Sequence, residues 1–214
     1  MSDIKTILFD YDGTLIDTNE IVYNAWQHTF VEITGKEGDP DLIYGTYGEP
    51  MSVCMPRIFE GIDVETALDI YRGYQKNKFK QEISLFPGIE ELLANLKARG
   101  YKLGIVTSRL KASTLKGLQT NNIEHYFDVI ITTEDTDKHK PHPEPLLKAI
   151  DLIESKKEEC IYIGDTAYDL MCAKNAGLPS VMVGWAVAFE TQKNRIGVEP
   201  DFVIEKAEDL FEIL

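Results

Sequence analysis

Apolar residues in this chain fall into short unbroken runs separated by stretches where they return every three or four positions. The runs are KTILFD (5–10), KLGIVT (102–107), DVIIT (128–132), CIYIGD (160–165), SVMVG (180–184) and DFVI (201–204). Several are apolar throughout rather than alternating, as parallel strands covered on both faces must be. Helical patterns lie between them. In PGIEELLANLKARG, Ile89, Leu92, Leu93 and Leu96 share a face, with Pro87 suited to a first turn and Gly100 to the position after the end. PEPLLKAIDLIES repeats the pattern through Leu146, Leu147, Ile150 and Ile153, and DTAYDLMCAKNAG closes on Gly177. Strands alternating with helices predict an α/β fold, a Rossmann-like, doubly wound parallel sheet.

Residues 17–83 break the rhythm. Val22, Trp26, Phe30 and Ile33 form one helical stripe, Leu68, Ile70 and Tyr71 belong to another, and GKEGDPD (35–41) reads as a turn. No strand is expected in this segment. It reads as a helical insertion after the first strand, dividing a core of residues 1–16 and 84–214. Such an insertion would sit over the carboxyl ends of the strands, where open α/β sheets bind ligands.

Composition narrows the classes. Of 214 residues, 43% are apolar and 27% charged, enough for a substantial buried core in a soluble protein. The formal net charge is −14 and no basic cluster interrupts the acidity, so nucleic acid is not an expected partner. Any anionic substrate needs a local cation. Cys54, Cys160 and Cys172 are widely spaced and match neither a disulfide framework nor a zinc site. The N-terminus lacks the features of a signal peptide, and no apolar run approaches the ~18 residues of a membrane span. A cytoplasmic protein is expected, monomeric or homodimeric.

The chemistry sits where strands end. The first run delivers Asp10 and Asp12, the second Thr107 and Ser108, the loop HKPHPEP carries Lys140, and YIGDTAYD supplies Asp165 and Asp169. Strand ends in such a sheet converge on one edge, so these residues are expected to share a pocket. Crowded carboxylates stay ionised only beside a cation, and an oxygen-only set suits Mg2+. Asp10 is then placed to attack phosphorus, with Asp12 near enough to protonate a leaving oxygen and later deprotonate water. Thr107 and the Ser108 backbone N–H would hold phosphoryl oxygens, and Lys140 would offset transition-state charge. Plainer alternatives exist for each. Asp10 and Asp12 suit an Asx turn with Gly13, Thr107 a buried strand position, Lys140 a solvated loop, and Asp165 and Asp169 a helix N-terminus.

The ordered set DxDGT, a strand ending in Thr, a Lys-Pro loop and GDxxxD resembles the haloacid dehalogenase-type phosphohydrolases along essentially the whole chain. The resemblance implies Asp10 as nucleophile, Asp12 as general acid/base, Thr107 and Lys140 as the second and third motif residues, and phosphate binding by Thr107, Ser108 and Lys140. It also implies Mg2+ held by the Asp10 and Asp165 carboxylates and the Asp12 backbone carbonyl, with Asp169 outside that ligand set. Dehalogenation is disfavoured because Asp12 and Asp165 are both present.

Within that superfamily, KLGIVTSRL, KNAG, GWAVAF and EPDFVIEKAEDL are similar to phosphoglycolate phosphatase-like enzymes, and among those to the bacterial pyrophosphatase branch. A small phosphorylated substrate, an ester or pyrophosphate, is the implied partner. DTNEIVYNAWQHTF also resembles the cap helix of β-phosphoglucomutase. Yet Thr14 follows the phosphatase habit, and Val22 stands where that mutase has a histidine. A third reading is a phosphorylatable aspartyl switch, against which Asp12 speaks, since a lasting acyl phosphate has no use for an adjacent base. Substrate choice is expected to lie in a cap loop, YGTYGEPMSVCMPR (44–57), with Tyr44, Tyr47, Glu49 and Arg57 as contacts, and Trp26 and Phe30 are expected in the cap core.

Overall fold

The computed structural model describes residues 4–78 and 83–214; residues 79–82, part of the expected insertion, lie outside that description. The chain opens with β1 (Thr6–Phe9) and a two-residue strand β2 (Ile16–Asp17). Four helices follow, α1 (Asn19–Thr34), α2 (Pro40–Tyr44), α3 (Met51–Ile58) and α4 (Val64–Lys78), before β3 (Ser84–Leu85) pairs antiparallel with β2. The remainder alternates: α5 (Ile89–Ala98), β4 (Lys102–Val106), α6 (Lys111–Thr120), β5 (Val129–Ile131), α7 (Glu144–Leu152), β6 (Cys160–Gly164), α8 (Ala167–Ala176), β7 (Ser180–Val183), α9 (Phe189–Ile196), β8 (Phe202–Ile204) and α10 (Leu210–Ile213).

Six strands form one parallel sheet in the order β5-β4-β1-β6-β7-β8. Counting only these strands, the order is 3-2-1-4-5-6, the doubly wound Rossmann-like arrangement, with its topological switch between β1 and β6. Ile7 pairs with Leu103 on one side and Ile161 on the other.

The unbroken apolar runs are explained by burial on both faces. Ile7, Phe9, Ile105 and Ile163 face a core completed by Leu92, Leu93 and Leu96 of α5. Leu8, Val106 and Tyr162 face the opposite core with Leu146 and Ile150 of α7 and Ala173 of α8. Each such aliphatic side chain, taken fully out of water, stabilises the fold by about 1.5–3 kcal/mol.

The four helices between β2 and β3 hold a cluster of their own. Trp26 packs edge-on to Tyr71 at 5.5 Å between ring centres, and Phe30 meets Phe59 at 4.9 Å. Trp26 and Phe30 are thus core residues, as expected. The α4 stripe differs in detail: Ala67 joins Leu68 and Tyr71 in the buried face, while Ile70 is only partly covered.

Three local expectations are corrected. Asp17 is in a strand although no strand is predicted within 17–83, because a two-residue ribbon is too short to leave an apolar run. The segment 44–57, expected as a loop, contains α3, whose Cys54 and Met55 are pulled into the aromatic cluster. Pro87 lies in the turn before α5 rather than in its first turn, the helix starting at Ile89. No helix among the described residues is long and apolar enough to cross a membrane.

Candidate active site

The carboxyl ends of β1 and β6 meet at the topological switch, and the acids are there. The Asp10 backbone N–H donates to Ile163 O at 2.8 Å, so the ladder to β6 extends one residue past β1 and fixes where the Asp10 side chain starts. The chain then turns sharply: Leu15 N and Ile16 N both donate to Tyr11 O, and Gly13 N donates to Ile16 O. Gly13 has φ +73°, and a Cβ there would stand 2.1 Å from Asp165 Oδ2. Only glycine lets the first loop approach the Asp165 carboxylate this closely.

Asp10, Asp165 and Asp169 are all buried and offer carboxylate oxygens within 4.8 Å of one another. Lys140, itself 3% exposed, reaches both Asp10 Oδ1 at 2.8 Å and Asp169 Oδ1 at 2.7 Å. The contact with Asp169 is a hydrogen bond; that with Asp10 is a close ion pair of poorer geometry, leaving Asp10 Oδ1 buried with no hydrogen-bond partner. Asp169 is fully engaged. Its Oδ1 also accepts from the Tyr162 hydroxyl at 2.9 Å, and its Oδ2 accepts from Thr166 N at 3.1 Å and Thr166 Oγ1 at 2.6 Å in a capping box at the start of α8.

Three acids against one lysine leave an excess of negative charge in a dry place. Burial first, and then Asp169 and Asp12, push the Asp10 carboxyl up to about 7, with Lys140 opposing the rise. Burial, then Asp169 and Asp10, likewise hold Asp165 well above the usual carboxylate range. For Lys140 burial alone favours the neutral amine, but Asp10 and Asp169 outweigh it and raise its affinity for the proton.

Asp12 is set apart. Its side chain is 30% exposed and pairs with Arg109 Nη1 at 2.6 Å. Thr107 continues the β4–β5 ladder through its N–H to Ile131 O at 2.9 Å, and its Oγ1 accepts from Arg109 N at 3.2 Å. The hydroxyl proton of Thr107 is therefore free to point elsewhere. Ser108 Oγ donates to Gly48 O at 3.2 Å, which ties the loop after β4 to the helical segment.

A cavity of about 520 Å3 lies between this sheet edge and the four helices, with Asp10, Asp12, Thr107, Ser108 and Asp165 on its floor. Lys140 and Asp169 do not line it; they stand behind Asp10. The seven residues singled out from sequence thus fall in two layers, five at the cavity and two supporting it. Of the loop residues expected to touch a ligand, Tyr47 and Glu49 line the cavity while Tyr44 and Arg57 do not, Arg57 being paired with Glu49. Sequence reasoning missed Arg109, Tyr162 and Thr166. Arg109 directly follows Thr107-Ser108 at a strand end, a signal that was available.

Such a site, oxygen donors converging at the switch point of a doubly wound sheet under a helical roof, is that of an α/β enzyme. The family follows from comparison: residues 7–183 match the model of the haloacid dehalogenase-like hydrolases, and the chain belongs to that family. It is 35% identical over 213 residues to pyrophosphatase PpaX of Halalkalibacterium halodurans, covering 99% of this chain and 97% of that one. It is 34% identical over 214 residues to the same-named protein of Bacillus mycoides, with 99% and 97% covered. A haloacid dehalogenase-like hydrolase from Streptococcus pneumoniae superposes with a TM-score of 0.85 at 28% identity, covering 100% and 99% of the two chains. A Lactobacillus plantarum structure provisionally named phosphoglycolate phosphatase gives 0.83 at 25% identity, with 99% of each covered.

Proposed function

We propose that this hydrolase is a Mg2+-dependent phosphohydrolase that cleaves a small phosphate ester or pyrophosphate through a phosphoryl group carried on Asp10, with residues 17–83 acting as cap over a core of 1–16 and 84–214 in the cytoplasm. The observation that carries the reading is the buried trio of carboxylates with a single lysine, opening on a cavity beside a separate, partly exposed acid. The donor set fits a hard divalent ion. It is oxygen-only, short of positive charge, and includes a buried Asp10 oxygen with no hydrogen-bond partner. Asp10, Asp165 and the Asp12 carbonyl would hold the ion, while Asp169, its oxygens already engaged by Lys140, Tyr162 and Thr166, would not. When bound, the ion supplies charge neutralisation that lets the Asp10 carboxylate approach an anionic phosphoryl group.

The protein's own residues account for the remaining steps. An Asp10 carboxylate oxygen attacks phosphorus, and the bond to the leaving oxygen breaks as Asp12 delivers a proton to it. Water then attacks the acyl phosphate, Asp12 takes its proton, and inorganic phosphate leaves with Asp10 restored. Thr107 donates its free hydroxyl to a phosphoryl oxygen, and the Ser108 backbone N–H a second bond. Lys140 acts from behind, fixing and countering Asp10. The mutase alternative is disfavoured because Val22, where a histidine is expected, presents an apolar side chain to the cavity.

The test is phosphate release from pyrophosphate, 2-phosphoglycolate and other small esters with Mg2+, repeated with chelator and with Asp10→Asn. Release that disappears in both controls is expected, and Asp12→Asn is expected to accumulate protein carrying one phosphoryl group. A parent protein that holds phosphate as long as Asp12→Asn does would instead make it a switch.

A further inference from the structure

Specificity was expected in the segment 44–57, yet the far wall of the cavity is built largely by α1 and α4. Val22 and Trp26 of α1 and Leu68 and Tyr71 of α4 give it an apolar face. The same cavity is lined by Arg72 and Lys76 of α4 and Lys116 of α6. These three exposed cations have no ion pair among the described residues, in a chain with 36 acidic and 22 basic side chains. The acids that line the same cavity away from its floor are Glu49, already paired with Arg57, and Glu65. In so acidic a protein, cations lining one cavity without an ion pair among the described residues are a local reversal of sign, which draws an anion to that place.

We propose that Arg72, Lys76 and Lys116 form a second anion subsite, and that the substrate is an organic phosphate with a carbon body and a second anionic group, a carboxylate or a phosphate, at its far end. This rests on the phosphohydrolase reading and specifies its substrate. An inorganic diphosphate has no carbon surface to cover the apolar face made by Val22, Trp26, Leu68 and Tyr71, whereas an organic phosphate does. A cavity of about 520 Å3 also falls in the range that encloses organic ligands.

The test uses ω-carboxyalkyl phosphates of increasing length, unsubstituted alkyl phosphates of matching length, and pyrophosphate. With Mg2+, a carboxyalkyl phosphate of intermediate length is expected to exceed both its alkyl counterpart and pyrophosphate in kcat/KM. The ratio of carboxyalkyl to alkyl is expected to fall about tenfold in Arg72→Gln/Lys76→Gln. A ratio unchanged by the double substitution, or pyrophosphate as the preferred substrate, overturns the subsite. Calorimetry of the corresponding non-hydrolysable carboxyalkyl phosphonate, on Asp10→Asn with and without the double substitution, separates the two readings. Binding weakened about tenfold by the double substitution upholds the subsite even where no ester is cleaved, in which case only the phosphohydrolase reading falls. Equal binding removes the subsite whatever the turnover.

Discussion

Gln192 offers a quantitative check on how the helical segment is held against the sheet. It lies in α9 and is buried; its Oε1 accepts from Ala167 N at 2.9 Å, and its Nε2 donates to Tyr44 O at 3.0 Å and Tyr47 O at 2.8 Å. One side chain thus joins the first turn of α8, just after Asp165, to the segment that brings Tyr47, Gly48 and Glu49 to the cavity. Close approach makes the joint demanding: Gly48 has φ +79°, and a Cβ there would meet Thr166 Oγ1 at 2.6 Å.

In Gln192→Leu the shape is nearly kept and all three bonds go. Tyr44 O retains the N–H of Tyr47, so two groups are orphaned, the Ala167 N–H and the Tyr47 carbonyl. Each buried unsatisfied group costs about 1–3 kcal/mol. The gain from a buried leucine offsets part of this, leaving a net loss of roughly 1–3 kcal/mol. For a chain of this size that corresponds to a fall in Tm of roughly 2–12 °C. Urea unfolding followed by fluorescence is expected to show the midpoint lowered and the slope unchanged. A leucine variant within about 0.5 kcal/mol of the parent would refute the reasoning, since it would mean that the two backbone groups find other partners when the amide is gone.

Two further outcomes are expected. Tyr162→Phe removes the hydroxyl placed between Asp169 Oδ1 and Val106 O, so it should lower kcat severalfold with little change in KM and cost about 1 kcal/mol in stability; a change confined to KM would argue against a positioning role behind Lys140. In chelator, stability is expected to fall as pH rises from about 4 to about 7, by up to about 1.4 kcal/mol per unit, because burial raises the folded-state pKa of Asp10 from 3.8 to about 7 and the folded protein holds a proton there that the unfolded chain has released. Asp165, raised for the same reason, adds in the same direction, whereas Asp135 and Glu159, lowered by their hydrogen bonds and neighbouring cations, lose their contributions only in more acidic solution. Urea midpoints across that range check it, and a midpoint that climbs with pH in chelator would contradict the assignment.

What was legible in the sequence, and what was not, divides along a physical line. The sheet was readable because strands buried on both faces must be apolar without interruption, as Ile7-Leu8-Phe9 and Ile161-Tyr162-Ile163 are. The acids were readable because a charge at the end of such a run has no packing reason to be there, and parallel strands bring their ends together. The helix α3 was hidden by Pro50 and Pro56 at its start and inside it, and forms because Cys54 and Met55 find the aromatic cluster. The residues that orient the site were hidden for a different reason. Gln192 addresses three main-chain atoms, and Tyr162 shares its proton between a carboxylate and the carbonyl of Val106. Every residue type offers the same carbonyl and almost every one the same N–H, so such contacts leave no complementary residue to look for. Tyr162 carried a weaker signal, a hydroxyl inside an otherwise apolar strand, which must find a partner when buried. That partner proved to be Asp169, whose other oxygen caps α8. The helix-capping reading and the supporting reading of Asp169 therefore describe one carboxylate: by holding the helix start with one oxygen and Lys140 with the other, it ties the position of α8 to the charge beside Asp10.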